Sequence, residues 1–157
     1  MTAVRGCAIL PGEDGHTAGR RLLAGLYEEL TGEKMPAISC TERGKPYFTE
    51  GNWHFSISHT KHHVFCALAS HPVGIDAEEK HRDIDLRLAE KILSPAEAQR
   101  FEQAQDKRLA LLKLWVLKEA AAKLAGTGLR GYPNTTDFSP EDPRITEDLG
   151  CLVAVLP

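Results

Sequence analysis

Two carboxylates stand two residues apart, Asp76 and Glu78, in a stretch that alternates apolar and polar from Val73 to Glu78. In a strand such residues face the same side, and Ile75 and Ala77 are then turned into the core. Carboxylates so placed repel each other unless a cation sits between them. Hard oxygen donors suit Mg²⁺, which one or two carboxylates commonly hold together with substrate phosphates. The same letters also fit an acidic edge leading into a polar loop. A third carboxylate, Glu119, lies about forty residues on, in a long apolar segment. There Ala110, Leu114, Leu117, Ala121 and Leu124 form one stripe at helical spacing. Glu119 falls on roughly the opposite side, which also carries Leu112, Trp115 and Val116. A helix covered on two faces cannot leave a carboxylate unpartnered without cost. Glu119 therefore either pairs with Lys123, one turn on, or serves as a third metal ligand or a base, with Lys118 and Lys123 gripping phosphate. Gly44-Lys45-Pro46 is either a solvated turn or a fixed backbone holding a cation over an anionic ligand. Ser58-His59-Thr60 closes a strand, where hydroxyl and imidazole groups make good phosphate donors or plain turn chemistry.

The elements that must position these groups follow from pattern. Residues 3–10 read as a first strand. A helix begins near Asp14, capped by Asp14 or Thr17, with Ala18, Leu22, Leu26 and Leu30 on one stripe and Gly32 as its stop. Residues 39–51 read as loop. His54–Ser58, Val64–Ala69 and Val73–Glu78 read as three strands, and their short connections predict an antiparallel meander. Leu86–Leu93 reads as a helix. Ser94, Pro95 and Glu97 form a capping box for a fresh one. A long helix runs from about Asp106 to Leu124, ended by Gly126 and Gly128. A proline-punctuated tail from Tyr132 to Pro143 leads to a last strand, Leu149–Leu156. Helices and strands mix without βαβ alternation, so the class is α+β.

Length and composition bound the rest. The 157 residues, 42% apolar and 26% charged, fit one soluble domain. No apolar run is long enough to span a membrane, and the opening MTAVRGCAILPGEDG is no signal peptide. Nineteen basic against 22 acidic residues leave a net charge of −3, which disfavours a nucleic-acid binder while allowing a local basic pocket. Cys7, Cys40, Cys66 and Cys151 lie far apart and read as reduced, mostly buried thiols of a cytoplasmic protein. His59, His62 and His63 are the densest histidines, at no usual zinc-ligand spacing.

Taken in order, GKP at 44–46, FSISHT at 55–60, GIDAE at 74–78, ILSPAE at 92–97 and WVLKEAAAK at 115–123 resemble the motifs of the 4′-phosphopantetheinyl transferase superfamily. The resemblance covers about residues 17–139, and its last motif is the most specific. It implies that family's fold, antiparallel sheets packed with a long helix in two pseudo-twofold halves. It implies one domain over 1–157, with 1–70 a reduced N-terminal half and 71–157 a C-terminal half carrying the metal site. The motif order resembles the larger, surfactin-type branch, whose members are monomers. The implied activity is Mg²⁺-dependent transfer of the 4′-phosphopantetheine arm of coenzyme A to a serine of an apo acyl, polyketide or peptidyl carrier protein, releasing 3′,5′-ADP. Neither nucleic acid nor membrane is an implied partner.

Carried over residue by residue, Asp76, Glu78 and Glu119 hold Mg²⁺ against the pyrophosphate. Glu119, directly or through a water, takes the proton of the attacking serine. Lys123 and Lys118 stabilise pyrophosphate charge. Ser58 and His59 bind the 3′-phosphate end and Lys45 the adenosine part, with Gly44, Pro46 and Thr60 as neighbouring contacts. The chain departs from the family in its short N-terminus, in Ala77 where a larger aliphatic is usual, and in an abbreviated tail after Phe138. Basic residues that usually reach the 3′-phosphate have no clear match, and Arg20 and Arg21 are the expected substitutes. Two other readings stay open: an inactive coenzyme A- or carrier-binding protein of this fold, and a structural metal module built on the histidines.

Overall fold

The computed structural model describes residues 1–131 and 136–157; Tyr132 and Pro133, at the head of the proline-punctuated tail, lie outside them. The first sheet is built around β5 (His63–Ala69), whose residues from Val64 onward are all buried. A strand of that kind needs partners on both edges and cover on its faces. β1 (Thr2–Ala8) and β4 (His54–His59) flank it, both antiparallel. Helix α1 (Gly15–Thr31) lies across this sheet. Asp14 caps it, accepting from the Thr17 amide at 2.7 Å, and its buried stripe of Leu23, Leu26 and Tyr27 packs on Phe48, Phe55 and Leu68.

The second sheet has the order β6 (Gly74–Glu79), β8 (Cys151–Leu156), β7 (Ile145–Asp148), again antiparallel. Helix α4 (Lys107–Ala125) covers it, capped by Asp106 and stopped at Gly126. Between β6 and α4 lie a 3₁₀ turn (Leu86–Leu88), the short α2 (Ala89–Ile92) and α3 (Pro95–Gln103), which opens on the expected Ser94–Glu97 capping box. The short α5 (Gly128–Gly131) follows α4. The sheets share one wiring. Each places its first strand beside its last, with the remaining strand outside, and each inserts its long helix between the first strand and the closing hairpin.

Three expectations change here. The meander stops at β5: β6 starts the second sheet, because β1 already occupies the free edge of β5 and β6 takes β8 as its partner. Residues 39–51 are not wholly loop, since β2 (Ile38–Cys40) and β3 (Pro46–Phe48) form a small hairpin around Gly44. The helix expected over Leu86–Leu93 is broken into the 3₁₀ turn and α2. Strand β7 was not anticipated; Leu149 and Gly150, with φ of 52° and 74°, make the tight turn that joins it to β8.

The two sheets are fastened by hydroxyl groups. Ser56, Ser58 and Thr60 occupy alternate positions of β4 and its end, so they face one way, and all three reach β6. Ser56 Oγ accepts from the Ile75 amide at 3.1 Å. Ser58 Oγ accepts from the Ala77 amide at 3.1 Å and donates to Asp76 Oδ1 at 3.0 Å. Thr60 Oγ1 donates to Glu79 Oε1 at 3.0 Å. Gly74, at the start of β6, passes so close to α4 that a Cβ there would stand 2.1 Å from the Ala120 carbonyl oxygen, so only glycine fits.

Candidate active site

The carboxylates of β6 meet α4 at the seam between the sheets. Trp115, Glu119 and Lys123 follow one another at four-residue spacing, which stacks them on one helical face. Together with Ser58, His59, Asp76 and Glu78 they line a cavity of about 410 Å³. Asp76 is 6% exposed. Its Oδ1 accepts from Lys123 Nζ at 2.8 Å and from Ser58. Its Oδ2 is buried without any hydrogen-bond partner among the described residues. Burial drives the Asp76 carboxyl above the usual range, with Lys123 opposing that push. Glu119 is half-buried, and burial again comes first in raising its pKa, followed by the charge of Asp76. Lys123 thus pairs with Asp76 rather than with its own helix neighbour. Glu78 is held separately: Trp115 Nε1 donates to its Oε1 at 3.2 Å, and Arg82 bridges it at 2.6 Å. Each strand carboxylate therefore has its own anchor, and the oxygens of Asp76, Glu78 and Glu119 are not drawn within 4.8 Å of one another.

A second cavity, of about 280 Å³, adjoins the first, with Ile57, Glu119 and Lys123 common to both. Gly44, Lys45 and Pro46 line it beside Arg43. Lys45 lies along Gly126, and its Nζ donates to the Leu124 carbonyl at 2.6 Å, capping the C-terminal end of α4. Burial lowers its pKa. A groove with Arg43, Lys45 and Lys123 along its length and carboxylates at one end can take an anionic ligand together with a cation.

Several expected contacts do not reach this groove. Lys118 is 1% exposed and points away, to Glu97, Nζ to Oε1 2.7 Å. It sits about 100° around the helix from Glu119, on the side packed against α3. Glu97 is itself wholly buried and also accepts from the Ser94 and Phe138 amides. The pair anchors α3 and the following chain to α4 and turns the Lys118 ammonium away from the groove. Ser58 and Thr60 have their hydroxyls committed to β6, as described above, so neither is a ready donor to a ligand phosphate. Arg21 is held by Glu13 in a two-pronged ion pair, at 2.9 and 2.8 Å. Arg20, partly exposed on α1, has no ion-pair or hydrogen-bond partner among the described residues. His59 is exposed, and its ring lies against the start of α1, where a Cβ on Gly15 would come within 2.4 Å of it.

Sequence reasoning missed three contributors. Arg82, four residues past Glu78, carried a spacing signal. Arg43 stood directly before Gly44. Glu97 was seen as a cap, but nothing in its local sequence marked it as the partner of a lysine on another helix.

Comparison with known proteins bears on this site. The family model of the 4′-phosphopantetheinyl transferase superfamily matches residues 72–149. A 4′-phosphopantetheinyl transferase of Aneurinibacillus migulanus, gsp, is 38% identical over 90 residues, 56% of this chain and 37% of the relative. The transferase psf-1 of Bacillus pumilus is 36% identical over 134 residues, 82% of this chain and 57% of the relative. A holo-[acyl-carrier-protein] synthase of Yersinia enterocolitica is 52% identical over 44 residues, 28% of this chain and 35% of the relative. The matches with these curated relatives thus span from about a third to somewhat over half of their length. The family match begins just before β6 and ends at the β7–β8 turn, so it takes in Asp76, Glu78, Glu119 and Lys123 together, and the chain belongs to the 4′-phosphopantetheinyl transferase superfamily.

Proposed function

We propose that this chain transfers the 4′-phosphopantetheine arm of coenzyme A to a serine of an apo carrier protein, releasing 3′,5′-ADP. The observation that carries the proposal is Asp76 Oδ2, a buried carboxylate oxygen without a partner among the described residues, at a cavity shared with Glu78, Glu119 and Lys123. An orphaned carboxylate oxygen beside two further carboxylates is the donor chemistry a hard divalent cation requires. Asp76, Glu78 and Glu119 would hold Mg²⁺, which neutralises charge on the pyrophosphate when bound.

The chain's own groups do the remainder. Lys123, already on Asp76, supplies a fixed positive charge at the cavity wall where phosphate oxygens lie. Glu119, half-buried at the same cavity wall, is placed to take the proton from the carrier serine hydroxyl. The serine oxygen forms the new bond to phosphorus as the bond to the ADP oxygen breaks, and that oxygen leaves with the electron pair. The nucleophile comes from the partner; the Ser58 hydroxyl at the cavity is committed to Asp76 and to the Ala77 amide. Arg43 and Lys45 line the adjoining cavity for the nucleotide end.

The residues on either side of position 70 read as two halves of one domain, and the shared wiring of the two sheets supports this. The long match with the Bacillus pumilus relative supports the larger, surfactin-type branch, and a monomer is the state proposed with it. No helix among the described residues is long and apolar enough to cross a membrane, which agrees with a cytoplasmic setting beside the carrier. The test is incubation with coenzyme A, Mg²⁺ and a panel of apo acyl, polyketide and peptidyl carriers, read by intact mass. A mass gain of one phosphopantetheine on at least one carrier is expected. Coenzyme A binding with no carrier modified would leave only an inactive binding protein.

A further inference from the structure

The apolar layer between the two sheets ends in three polar residues of different chemistry. Along β5, Phe65, Ala67 and Ala69 face that layer; along β6, Ile75 and Ala77; along β8, Val153. Two residues outward from these rows, on the same faces, stand His63, Glu79 and Cys151. His63 Nδ1 lies 3.9 Å from Glu79 Oε1 and 3.9 Å from Cys151 Sγ. All three donor atoms lie within 4.8 Å of one another, and the described residues gather no second group of this kind.

We propose that His63, Glu79 and Cys151 form a binding site for a borderline-soft divalent cation of the Zn²⁺ class, separate from the hard-cation site of Asp76, Glu78 and Glu119. Imidazole, thiolate and carboxylate are the donor types zinc selects, whereas Mg²⁺ has no preference for sulfur or nitrogen. In a tetrahedral zinc site with ordinary bond lengths, neighbouring donors sit about 3.4–3.6 Å apart. The two 3.9 Å separations need to close by about 0.3–0.5 Å, and the Glu79–Cys151 one, within 4.8 Å, by no more than about 1.2 Å, within the reach of side-chain rotations. Glu79 follows Glu78 in β6, so its side chain leaves the opposite face of the strand from the cavity carboxylates. Its Oε1 is already oriented by Thr60 Oγ1 at 3.0 Å, the kind of outer hydrogen bond that fixes a metal-bound carboxylate. The side chains of His63 and Glu79 are 24% and 34% exposed, which leaves an approach for the ion and room for a water as fourth ligand. Binding displaces the thiol proton to solvent and leaves sulfur as thiolate. The ion would then tie β5 of the first sheet to β6 and β8 of the second, at the end where the hydroxyl ladder finishes.

The test uses the full chain in excess Mg²⁺, with Co²⁺ as the spectroscopic probe and Zn²⁺ as competitor. One Co²⁺ per chain should bind with a thiolate-to-cobalt charge-transfer band, and Zn²⁺ should erase the band and raise the melting temperature. Cys151→Ser and His63→Ala should each lose both responses, Glu119→Gln should keep both, and Thr60→Val should weaken Zn²⁺ about tenfold. Melting of each variant in chelator identifies any that fails to fold; should Cys151→Ser fail, His63→Ala and Thr60→Val decide. Lack of a thiolate band in the wild type, or a band that survives Cys151→Ser, overturns the proposal.

Discussion

Lys123 reaches from α4 to Asp76 on β6, Nζ to Oδ1 2.8 Å, and Ser58 donates to the same oxygen. Asp76 is thereby both a structural tie and a candidate ligand, whereas Glu119 has no hydrogen bond or ion pair of its own among the described residues. The two carboxylates should therefore part company in a stability measurement. In chelator, Asp76→Ala removes the partner of Lys123 and of the Ser58 hydroxyl, and should cost about 1–3 kcal/mol. Glu119→Gln should raise stability at neutral pH. Its folded pKa is raised, so the ionised form is disfavoured in the folded state, and stability is lost as pH rises past the carboxylate range. Urea unfolding of both variants checks the pair of signs, and both should lose transfer. An active Asp76→Ala enzyme would remove Asp76 from the metal site.

Glu97 and Lys118 make a wholly buried ion pair between α3 and α4. Truncating one partner takes a buried counter-charge away from the other. Glu97→Ala or Lys118→Ala should each cost about 3–5 kcal/mol. Lys118→Met with Glu97→Gln should recover part of that loss, because no unpaired charge then remains. The phosphate-gripping role predicts something else: Lys118→Met would weaken coenzyme A with little effect on folding. Chemical denaturation alongside coenzyme A titration separates these outcomes.

The same helix shows how far the sequence could be read. The stripe of Ala110, Leu114, Leu117 and Ala121, with Asp106 before it and Gly126 after it, marked α4 and its ends, because amphipathic period and caps are local properties. It did not say which of two lysines faces the cavity. Lys118 and Lys123 are about 140° apart on the helix, so one face cannot serve both, and apolar residues on two sides hid the choice. Strand pairing was illegible for a related reason. Val73 to Glu78 alternates equally well beside β5 or beside β8, and only the occupied edge of β5 decides between them. Ser56, Ser58 and Thr60 read as strand-end polarity, since their partners on β6 become neighbours only after both sheets have formed.

Cys66 supplies a pH dependence that does not involve the site. It lies buried in the centre of β5, and burial, with the Cys7 thiol behind it, pushes its pKa from 9.0 up to about 12. The folded state then holds a proton that the unfolded state has released. Stability from this group is complete below pH 9.0 and is lost as pH rises toward about 12. The loss over that window is on the order of 4 kcal/mol. Cys66→Ala should be less stable than the wild type at neutral pH by about 1 kcal/mol, yet fall less steeply at alkaline pH, so the two curves cross within that window. Denaturation midpoints across the alkaline range measure this, and parallel curves would exclude Cys66 as the cause.

The two arginines of α1 differ in what they are free to do. Arg21 is clamped to Glu13 through two hydrogen bonds, a planar fork already matched to a carboxylate. Arg20 has no such partner among the described residues. His59 lies against the same helix start, at Gly15, where backbone amides favour phosphate. Of the two, Arg20 is therefore the one that can receive a 3′-phosphate without first breaking an ion pair, whereas recruiting Arg21 means releasing Glu13. The expected outcome is asymmetric. Arg20→Ala should weaken coenzyme A by about tenfold or more, the loss of one charge-assisted contact, and leave dephospho-coenzyme A nearly unchanged. Arg21→Ala should affect both ligands little and instead lower stability slightly, by no more than an exposed ion pair contributes. Calorimetric titration of each variant with both ligands reads the difference. Equal losses for the two ligands, or a larger effect at Arg21, would place the 3′-phosphate elsewhere, with Arg43 and Lys45 of the adjoining cavity as the cations left to receive it.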